Sequence, residues 1–239
     1  PLASQMSAAL PAAGLFRLQP QLSLQGIFED WGMPRCRFTS QNGTSWVGTS
    51  GSVLNGSYAQ CRKPRLPCAG QYTITFSPNG QCFQGQHAVV SFLAYNSQVT
   101  RVGVKGGPST TAVTVLITGQ GFLYQSSLVE GTCHFTSLTS AVTLESSLQV
   151  TSSTTAKCLS PASGSAAVWS LQVRQNGVDP EPSLFGTITF TEYDVTALGV
   201  SSLVPRGAPA GAAVSLTLTG TGFVDCGEGQ LVCRLGGLT

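Results

Sequence analysis

The chain has 239 residues, of which only 9% are charged, and its formal net charge is +2. Its 12 Lys and Arg residues are too few and too scattered to form the basic stripe that nucleic-acid binding requires, so we expect no nucleic-acid partner. No apolar run approaches the roughly 18 residues of a membrane span, which predicts that this segment is soluble and does not insert into a membrane.

The eight cysteines could be buried thiols, metal ligands or disulfides. No Cys-x-x-Cys pair occurs, and only His87 and His134 could supply imidazole, so a zinc site is disfavoured. Disulfides and an oxidising compartment are favoured instead. The chain begins at Pro1 without a signal-like leader, which favours a processed or internal piece of a longer polypeptide.

Residues 1–95 are predicted to form the first of three repeated units. Their opening, PLASQMSAALPAAG, is rich in Ala and fits a linker, a short helix or an edge strand. Alternating runs such as YTITF are rich in β-branched and aromatic residues and predict strands separated by turns. Gly26 and Phe28 mark a turn in the sequence LQGIF.

A repeat of about 97 residues relates this first unit to residues 96–194. Cys36 precedes Cys61 by 25 residues, and Cys133 precedes Cys158 by the same 25. The sequence CRFTS at Cys36 matches CHFTS at Cys133, and SFLAY matches TFTEY at nearly the same offset. Seven or so strands in each repeat predict a sandwich of two sheets.

A third unit is predicted to begin after Asp194. The segment AVTVLITGQGF ending at Phe122 matches AVSLTLTGTGF ending at Phe223, and Cys133 corresponds to Cys233. Residues 195–239 hold less than half of a unit, which would leave apolar strand faces and strand edges uncovered. We therefore expect the polypeptide to continue, or another chain to complete this unit.

These features together resemble the IPT/TIG domain: an alternating apolar strand, the sequence TGxGF, two cysteines about 25 residues apart and a closing F-x-Y strand. The resemblance implies an all-β fold of tandem immunoglobulin-like β-sandwiches at 1–95, 96–194 and 195–239, the third one incomplete. In the family's turn, glycine permits positive φ and Phe returns to the core. The resemblance places that turn at Gly119, Gly121, Phe122, Gly220, Gly222 and Phe223. It also implies the disulfides Cys36–Cys61 and Cys133–Cys158.

Four cysteines lie outside these implied disulfides. Cys68 and Cys82 flank a predicted strand and turn, and we predict that they pair as an extra clasp on the first unit. Cys226 lies seven residues before Cys233, so these two could pair locally. The repeat, however, gives Cys233 a partner beyond residue 239, which leaves the pairing of both open.

Catalytic signals are weak. His134 follows Cys133, which the resemblance assigns to a disulfide, and His87 has no carboxylate or nucleophile near it in the sequence. No Gly-x-Ser-x-Gly elbow or phosphate-binding loop occurs. We therefore expect no enzymatic activity and no cofactor.

Two pairs of acidic residues have both a functional and a simpler interpretation. Asp179 with Glu181, and Glu192 with Asp194, fit either a calcium site or solvated loop charges. Calcium takes six or more oxygen ligands, and only these few are evident, so solvated charges and no metal site are expected.

Basic residues and sequons occur close together in the first unit. Arg62, Lys63 and Arg65 fit either contact with an acidic partner or plain solvation, and solvation is favoured. The sequons at Asn42 and Asn55 lie in a Gly/Ser/Thr-rich stretch outside the predicted strands, where we expect N-glycosylation.

The resemblance implies a non-catalytic spacer and interaction segment of a large secreted or cell-surface protein, with fibrocystin-like ciliary surface proteins among those it is similar to. Its partners would be other protein subunits or further repeats of the same chain, with glycans as a further class. The alternatives are a ligand-recognition ectodomain of a receptor and an accessory glycan-binding module of a secreted enzyme.

Overall fold

A computed structural model of the chain describes residues 5–48, 50–83, 89–124, 130–184, 186–226, 232–234 and 236. Within these ranges the chain forms nineteen strands and a single short 3₁₀ helix, so the predicted all-β fold is confirmed. His87 lies outside the described residues. None of the described segments is a helix with the length and hydropathy needed to cross a bilayer.

Two sheets build the first unit. Their strands are β1 (Gln5–Leu10), β2 (Ala13–Leu15), β3 (Gln21–Ile27), β4 (Arg35–Ser40), β5 (Ser45–Val47), β6 (Gly51–Asn55), β7 (Tyr58–Arg62), β8 (Gly70–Ser77) and β9 (Val89–Tyr95). One sheet has the order β1-β3-β7-β6 and the other the order β2-β9-β8-β4-β5. From Gln5 onward, the Ala-rich opening thus forms the edge strands β1 and β2, one in each sheet, and β2 runs parallel to β9.

The alternation of apolar and polar residues explains how these two sheets pack. Leu22 and Leu24 in β3 are fully buried, and so are Phe38 in β4 and Ile74 in β8, because every second side chain of a strand faces the same side. These residues belong to one core cluster that receives side chains from both sheets. The first unit is therefore a β-sandwich.

The second unit repeats this arrangement with one strand shared between its two layers. Its strands are β10 (Gln98–Val102), β11 (Gly106–Pro108), β12 (Thr114–Gln120), β13 (Gly131–Ser137), β14 (Thr143–Val150), β15 (Thr155–Leu159), β16 (Ala167–Arg174) and β17 (Ile188–Tyr193). The order is β10-β12-β15-β14-β13-β16-β17-β11. The first six residues of β14 pair with β13, and its last two pair with β15, so β14 passes from one layer to the other.

The described residues of the third unit form a single hairpin. It consists of the 3₁₀ helix Val195–Ala197, β18 (Gly199–Val204) and β19 (Thr217–Thr221), with β18 and β19 antiparallel. Phe223, which the turn signature places in a core, is 45% exposed. The expectation for this residue is wrong, because the described part of the third unit has no opposing sheet to cover it.

Disulfides join the two layers of each sandwich. The structure contains both that the resemblance implies, Cys36–Cys61 between β4 and β7 and Cys133–Cys158 between β13 and β15. Their Cα atoms are 6.0 and 6.4 Å apart, and all four cysteines are buried. Each bond therefore staples one sheet to the other at the centre of the core.

Cys68 and Cys82 do not form the predicted clasp. Both are exposed free thiols. Cys68 precedes the eight-residue strand β8 and Cys82 follows it, so a strand about 26 Å long separates them. A disulfide requires Cα atoms within about 7 Å, which this strand prevents.

Candidate functional site at the junction of the first two units

A small apolar cluster marks the point where the first unit meets the second. Ala13, Leu15 and Tyr95 are buried together, and Leu123 of the second unit packs against them. Ala13 and Leu15 lie in β2, which the parallel pairing with β9 holds beside Tyr95. The short edge strand of the first unit thus supplies the apolar floor of the junction.

Tyr95 and Glu181 connect the two units directly. The Tyr95 hydroxyl donates a hydrogen bond of 2.9 Å to Glu181 Oε1, and the hydroxyl of Ser97 in the linker donates to Oε2 of the same carboxylate. The backbone N–H of Gln175 also donates to Oε1. Glu181 is only 8% exposed, so its carboxylate is held by three donors inside the junction.

Asn176 forms a second bridge. Its Nδ2 donates to the carbonyl of Ala13 in β2 and to Asp179 Oδ2, both at 2.9 Å. Its Oδ1 accepts from the backbone N–H groups of Val178 and Asp179. One side chain therefore shapes the loop after β16 and also fastens that loop to the first unit.

Lys63 is fully buried and lies near Asp179 of this loop. Its Nζ donates to the carbonyls of Phe16 and Pro64 at 3.1 Å each, so the ammonium group is used within the first unit. Burial lowers the pKa of Lys63 from 10.5 to about 8, and the nearby Asp179 opposes that change. Lys63 therefore cannot contact an external acidic partner, unlike its exposed neighbours Arg62 and Arg65.

The titration of the junction groups follows from their burial. Burial raises the pKa of Glu181 from 4.5 to about 7, although hydrogen bonds from Ser97 and Tyr95 act in the opposite direction. Burial and the adjacent Glu181 hold the pKa of the Tyr95 phenol well above its ordinary value. Burial thus shifts both groups towards their neutral forms inside the junction.

The second TGxGF candidate turn packs against the same junction. Gly121 has φ of +72°, and a Cβ there would lie 1.9 Å from the carbonyl oxygen of Asn96 in the linker. Gly119 is instead required by close approach, because a Cβ would lie 2.4 Å from the Gln98 carbonyl oxygen. Phe122 is 3% exposed in the core, and the Leu123 N–H donates to Gln175 Oε1. This turn therefore supports the linker between the units.

The acidic residues of the two sequence pairs are mostly buried rather than solvated, contrary to expectation. Glu192 accepts hydrogen bonds from the Trp169 indole N–H, at 2.7 Å, and from Ser163. Asp194 is the exception, since it caps the 3₁₀ helix by accepting from Thr196. Among the described residues no group of three or more His, Cys, Asp or Glu side chains is placed to hold a metal ion.

A related arrangement occurs between the second and third units. A Cβ on Gly106 would lie 2.6 Å from Cys226 Sγ, and the Lys105 N–H donates to the Cys226 carbonyl. Gly222 has φ of +74°, whereas Gly220 is confined by the carbonyl oxygen of Gly199. Cys226 is therefore buried against the second unit, and both it and the exposed Cys233 are free thiols.

Both sequon asparagines are exposed, but Asn55 is the last residue of β6, so the expectation that the sequons lie outside the strands is wrong for Asn55. Asn42 is in the β4–β5 turn, and its Oδ1 accepts from the N–H of Thr44. Asn55 begins the β6–β7 turn, and its Oδ1 accepts from the N–H of Ser57. In each turn the side-chain oxygen is held by the backbone while the residue faces solvent.

An open cleft of about 610 Å³ lies over the junction. Its lining combines Leu15 and Phe16 of the first unit, Ser97 of the linker and Pro180 of the second unit. Arg17, which is exposed, stands at its rim with its guanidinium 5.1 Å from the Phe16 ring. The cleft is a mixed apolar and polar surface that both units build.

The sequence did not point to this site. Asn176 stands in a turn-like QNG sequence, and Tyr95 in the F-x-Y strand, but no local pattern indicates that they contact another unit. The available signal was the repeat itself, because two similar sandwiches joined by a short linker must meet near the linker. The partners of Tyr95 and Asn176 lie 86 and 163 residues away.

Comparisons with known proteins agree with this architecture. No family model matches the chain, and no curated protein matches it. The chain is similar to the solved structure "Plexin A4 full extracellular region, domains 1 to 10", with a TM-score of 0.51 and 12% identity over 84% of this chain. The chain has a tandem immunoglobulin-like β-sandwich fold. At this identity the likeness concerns the fold alone.

Two bacterial adhesin structures also match. Yersinia pseudotuberculosis adhesin InvE gives a TM-score of 0.31 at 11% identity over 82% of this chain, and Escherichia coli adhesin FdeC gives 0.30 at 14% over 79%. Scores this low do not bear on the fold. The tandem immunoglobulin-like chain spans 17% of the plexin structure, 60% of InvE and 63% of FdeC.

Proposed function

We propose that this chain is a non-catalytic segment of a large secreted or cell-surface protein, in which tandem sandwiches act as an oriented spacer and assembly module. The observation that carries the proposal is the junction, where the Tyr95–Glu181 and Asn176–Ala13 hydrogen bonds cross between units. A flexible string of units would not need such bonds. Fixed orientation is what a spacer requires in order to present its surfaces to neighbouring subunits.

The units are proposed to be IPT/TIG domains at 1–95, 96–194 and 195–239. Support comes from the repeated inter-sheet disulfide and from the repeated turn, in which Gly121 and Gly222 adopt nearly the same positive φ. Further repeats or other subunits are the proposed partners. A ciliary surface, like that of the fibrocystin-like proteins, stays the predicted setting.

An extracellular location is supported by chemistry in the first two units. Two disulfides buried between sheets are typical of oxidising compartments. The exposed turns at Asn42 and Asn55 offer their side-chain amides to a glycosylating enzyme.

The junction cleft favours a second candidate, recognition of a protein ligand by a receptor ectodomain. Its volume of about 610 Å³ is large enough for a short peptide segment. A glycan-binding function has less support, because Trp46 packs against Tyr72 and Trp169 is buried, which leaves Trp31 as the exposed indole.

Peptide mapping of the native protein under non-reducing conditions tests the proposal. We expect Cys36 linked to Cys61, Cys133 linked to Cys158, and sugar on Asn42 or Asn55. Free thiols at the four core cysteines would contradict the extracellular assignment. Disulfides without sugar would retain that assignment and overturn only the glycosylation prediction.

A further inference from the structure

Glu181 is an acid buried between the first and second units. It is 8% exposed and receives hydrogen bonds from Tyr95 of the first unit, Ser97 of the linker and Gln175 of the second unit. Each part of the junction thus contributes one donor to a single carboxyl group. Any change in the charge of that group acts on all three parts.

The charged and titratable groups around Glu181 do not compensate a negative charge. Asp179, on the same loop, is itself a buried acid. Tyr95 from β9 is a phenol, and Lys63, from the segment after β7, directs its ammonium to two carbonyls of the first unit. No ion pair among the described residues involves Glu181.

We propose that the junction is a proton-controlled joint, in which the first two units dock when Glu181 is protonated and loosen when it is ionised. The three hydrogen bonds offset only part of the desolvation of an ionised Glu181 that has no contacting cation, so this form favours exposure to water, and separating the units provides that exposure. When the carboxyl group is protonated, this driving force disappears. The apolar contacts of Leu15 with its neighbours and the Asn176 bridge then hold the units together.

The direction of the pH dependence follows from burial. The pKa of Glu181 is raised from 4.5 to about 7 when the junction is formed. A raised carboxyl pKa means that the docked form binds the proton more tightly than the separated form. The stabilisation is therefore fully present below pH 4.5 and is lost as the pH rises through 7. A mildly acidic solution gives a rigid chain and a mildly alkaline one gives a flexible chain.

This pH-dependent joint rests on the proposed spacer function and would regulate it. Carbon-13 NMR of the whole chain with labelled glutamate side chains measures the titration of Glu181 directly. We expect one carboxyl carbon with a midpoint near pH 7, and we expect that signal to disappear in Glu181→Gln. A midpoint below 5 for Glu181 would overturn the proposal.

Small-angle X-ray scattering of the same chain at pH 5.5 and pH 8 measures the consequence. We expect the maximum dimension to increase at pH 8 in the natural chain and to stay at its pH 5.5 value in Glu181→Gln, which mimics the protonated form. Glu192→Gln is the matched control, because Glu192 is an equally buried acid whose partners Trp169 and Ser163 lie within the second unit. This control should respond to pH like the natural chain.

The outcomes separate this proposal from the spacer function. Identical, compact scattering at both pH values would overturn the proton-controlled joint and leave the oriented spacer intact. A pH response that persists in Glu181→Gln would overturn the assignment of the joint to Glu181. Extended, variable scattering at both pH values would contradict the spacer function itself.

Discussion

Tyr95, the last residue of the final strand in the first unit, donates a 2.9 Å hydrogen bond to Glu181, which lies 86 residues later in the second unit. Both side chains are buried. This bond is possible only when the two sandwiches are docked, so its contribution to stability depends on their relative orientation. The two residues are therefore the most direct probes of the junction.

Tyr95→Phe removes this hydroxyl and keeps the ring. We expect the free energy of unfolding to fall by about 1–2 kcal/mol, because the Glu181 oxygen loses a buried donor. Denaturant unfolding measures the change. Tyr58→Phe serves as the control, because Tyr58 is 42% exposed on the first unit and its loss should stay below about 0.5 kcal/mol. Equal losses in the two variants would show that the Tyr95 hydroxyl has no special role.

Asn176→Ala removes the bridge to β2. The Ala13 carbonyl then loses its partner, and we expect a loss of about 1–3 kcal/mol together with loosened docking in scattering measurements at pH 5.5. Asn79→Ala is a matched control, since Asn79 caps a similar turn by accepting from the N–H groups of Gln81 and Cys82 within the first unit. Loosened docking in Asn79→Ala as well would count against the bridge.

Most of the fold could be predicted from the sequence, because the repeat and the alternation of apolar residues are local signals. The all-β fold, the strands and the inter-sheet pairing of Cys36 with Cys61 fall in this class. The Cys68–Cys82 prediction failed although the necessary signal was present, since a strand between two cysteines holds them apart. Spacing along the chain does not by itself predict a disulfide, because an extended strand between two cysteines sets their distance.

The junction could not be predicted in the same way. Asp179 and Glu181 follow a loop-like QNG sequence, and acids in loops are usually solvated. Their burial arises from docking against β2 and Tyr95, which are distant in sequence. Phe223 illustrates the converse case, because a local turn pattern can place a residue in a core only where an opposing sheet exists.

Two glycine-to-alanine substitutions compare a steric clash of the added Cβ with the cost of a positive φ alone. Gly121→Ala meets both, with φ of +72° and a Cβ 1.9 Å from the Asn96 carbonyl oxygen, and we expect a loss of about 3 kcal/mol or more. Gly164→Ala has φ of +82° with nothing within 4 Å, so about 1 kcal/mol is expected. Thermal and denaturant unfolding compare the two. Similar losses would mean that the linker yields to the added carbon at no cost.

The cysteines are expected to fall into two classes. Replacing both Cys133 and Cys158 by Ala should lower the free energy of unfolding by about 3.5 kcal/mol, as expected for a closed loop of this length. Cys68→Ser and Cys82→Ser should change it by less than about 0.5 kcal/mol. Alkylation of the native, non-reduced chain should modify Cys68 and Cys82 and leave Cys133 unmodified. Protection of Cys68 and Cys82 would revive the clasp.

The buried Lys63 should give the free energy of unfolding a second pH dependence, opposite in sign to that caused by Glu181. Its pKa is lowered to about 8 in the folded chain from 10.5, so the unfolded chain binds more protons between these values. Stability should therefore rise as the pH increases from 8 to 10.5. Lys63→Met should abolish this slope when unfolding is measured across the range, whatever its effect at a single pH. A slope that survives in Lys63→Met would show that another group causes it.

The central claim is that the first two units have one fixed relative orientation when the junction is formed. Residual dipolar couplings of backbone amides at pH 5.5 test it most directly, because they report the orientation of each sandwich in a common frame. We predict that couplings from the strands of both units, β3 to β8 and β12 to β16, fit a single alignment tensor when the units are docked through the Tyr95–Glu181 and Asn176–Ala13 hydrogen bonds. Two tensors of different magnitude would mean that the units move independently, and would contradict the account.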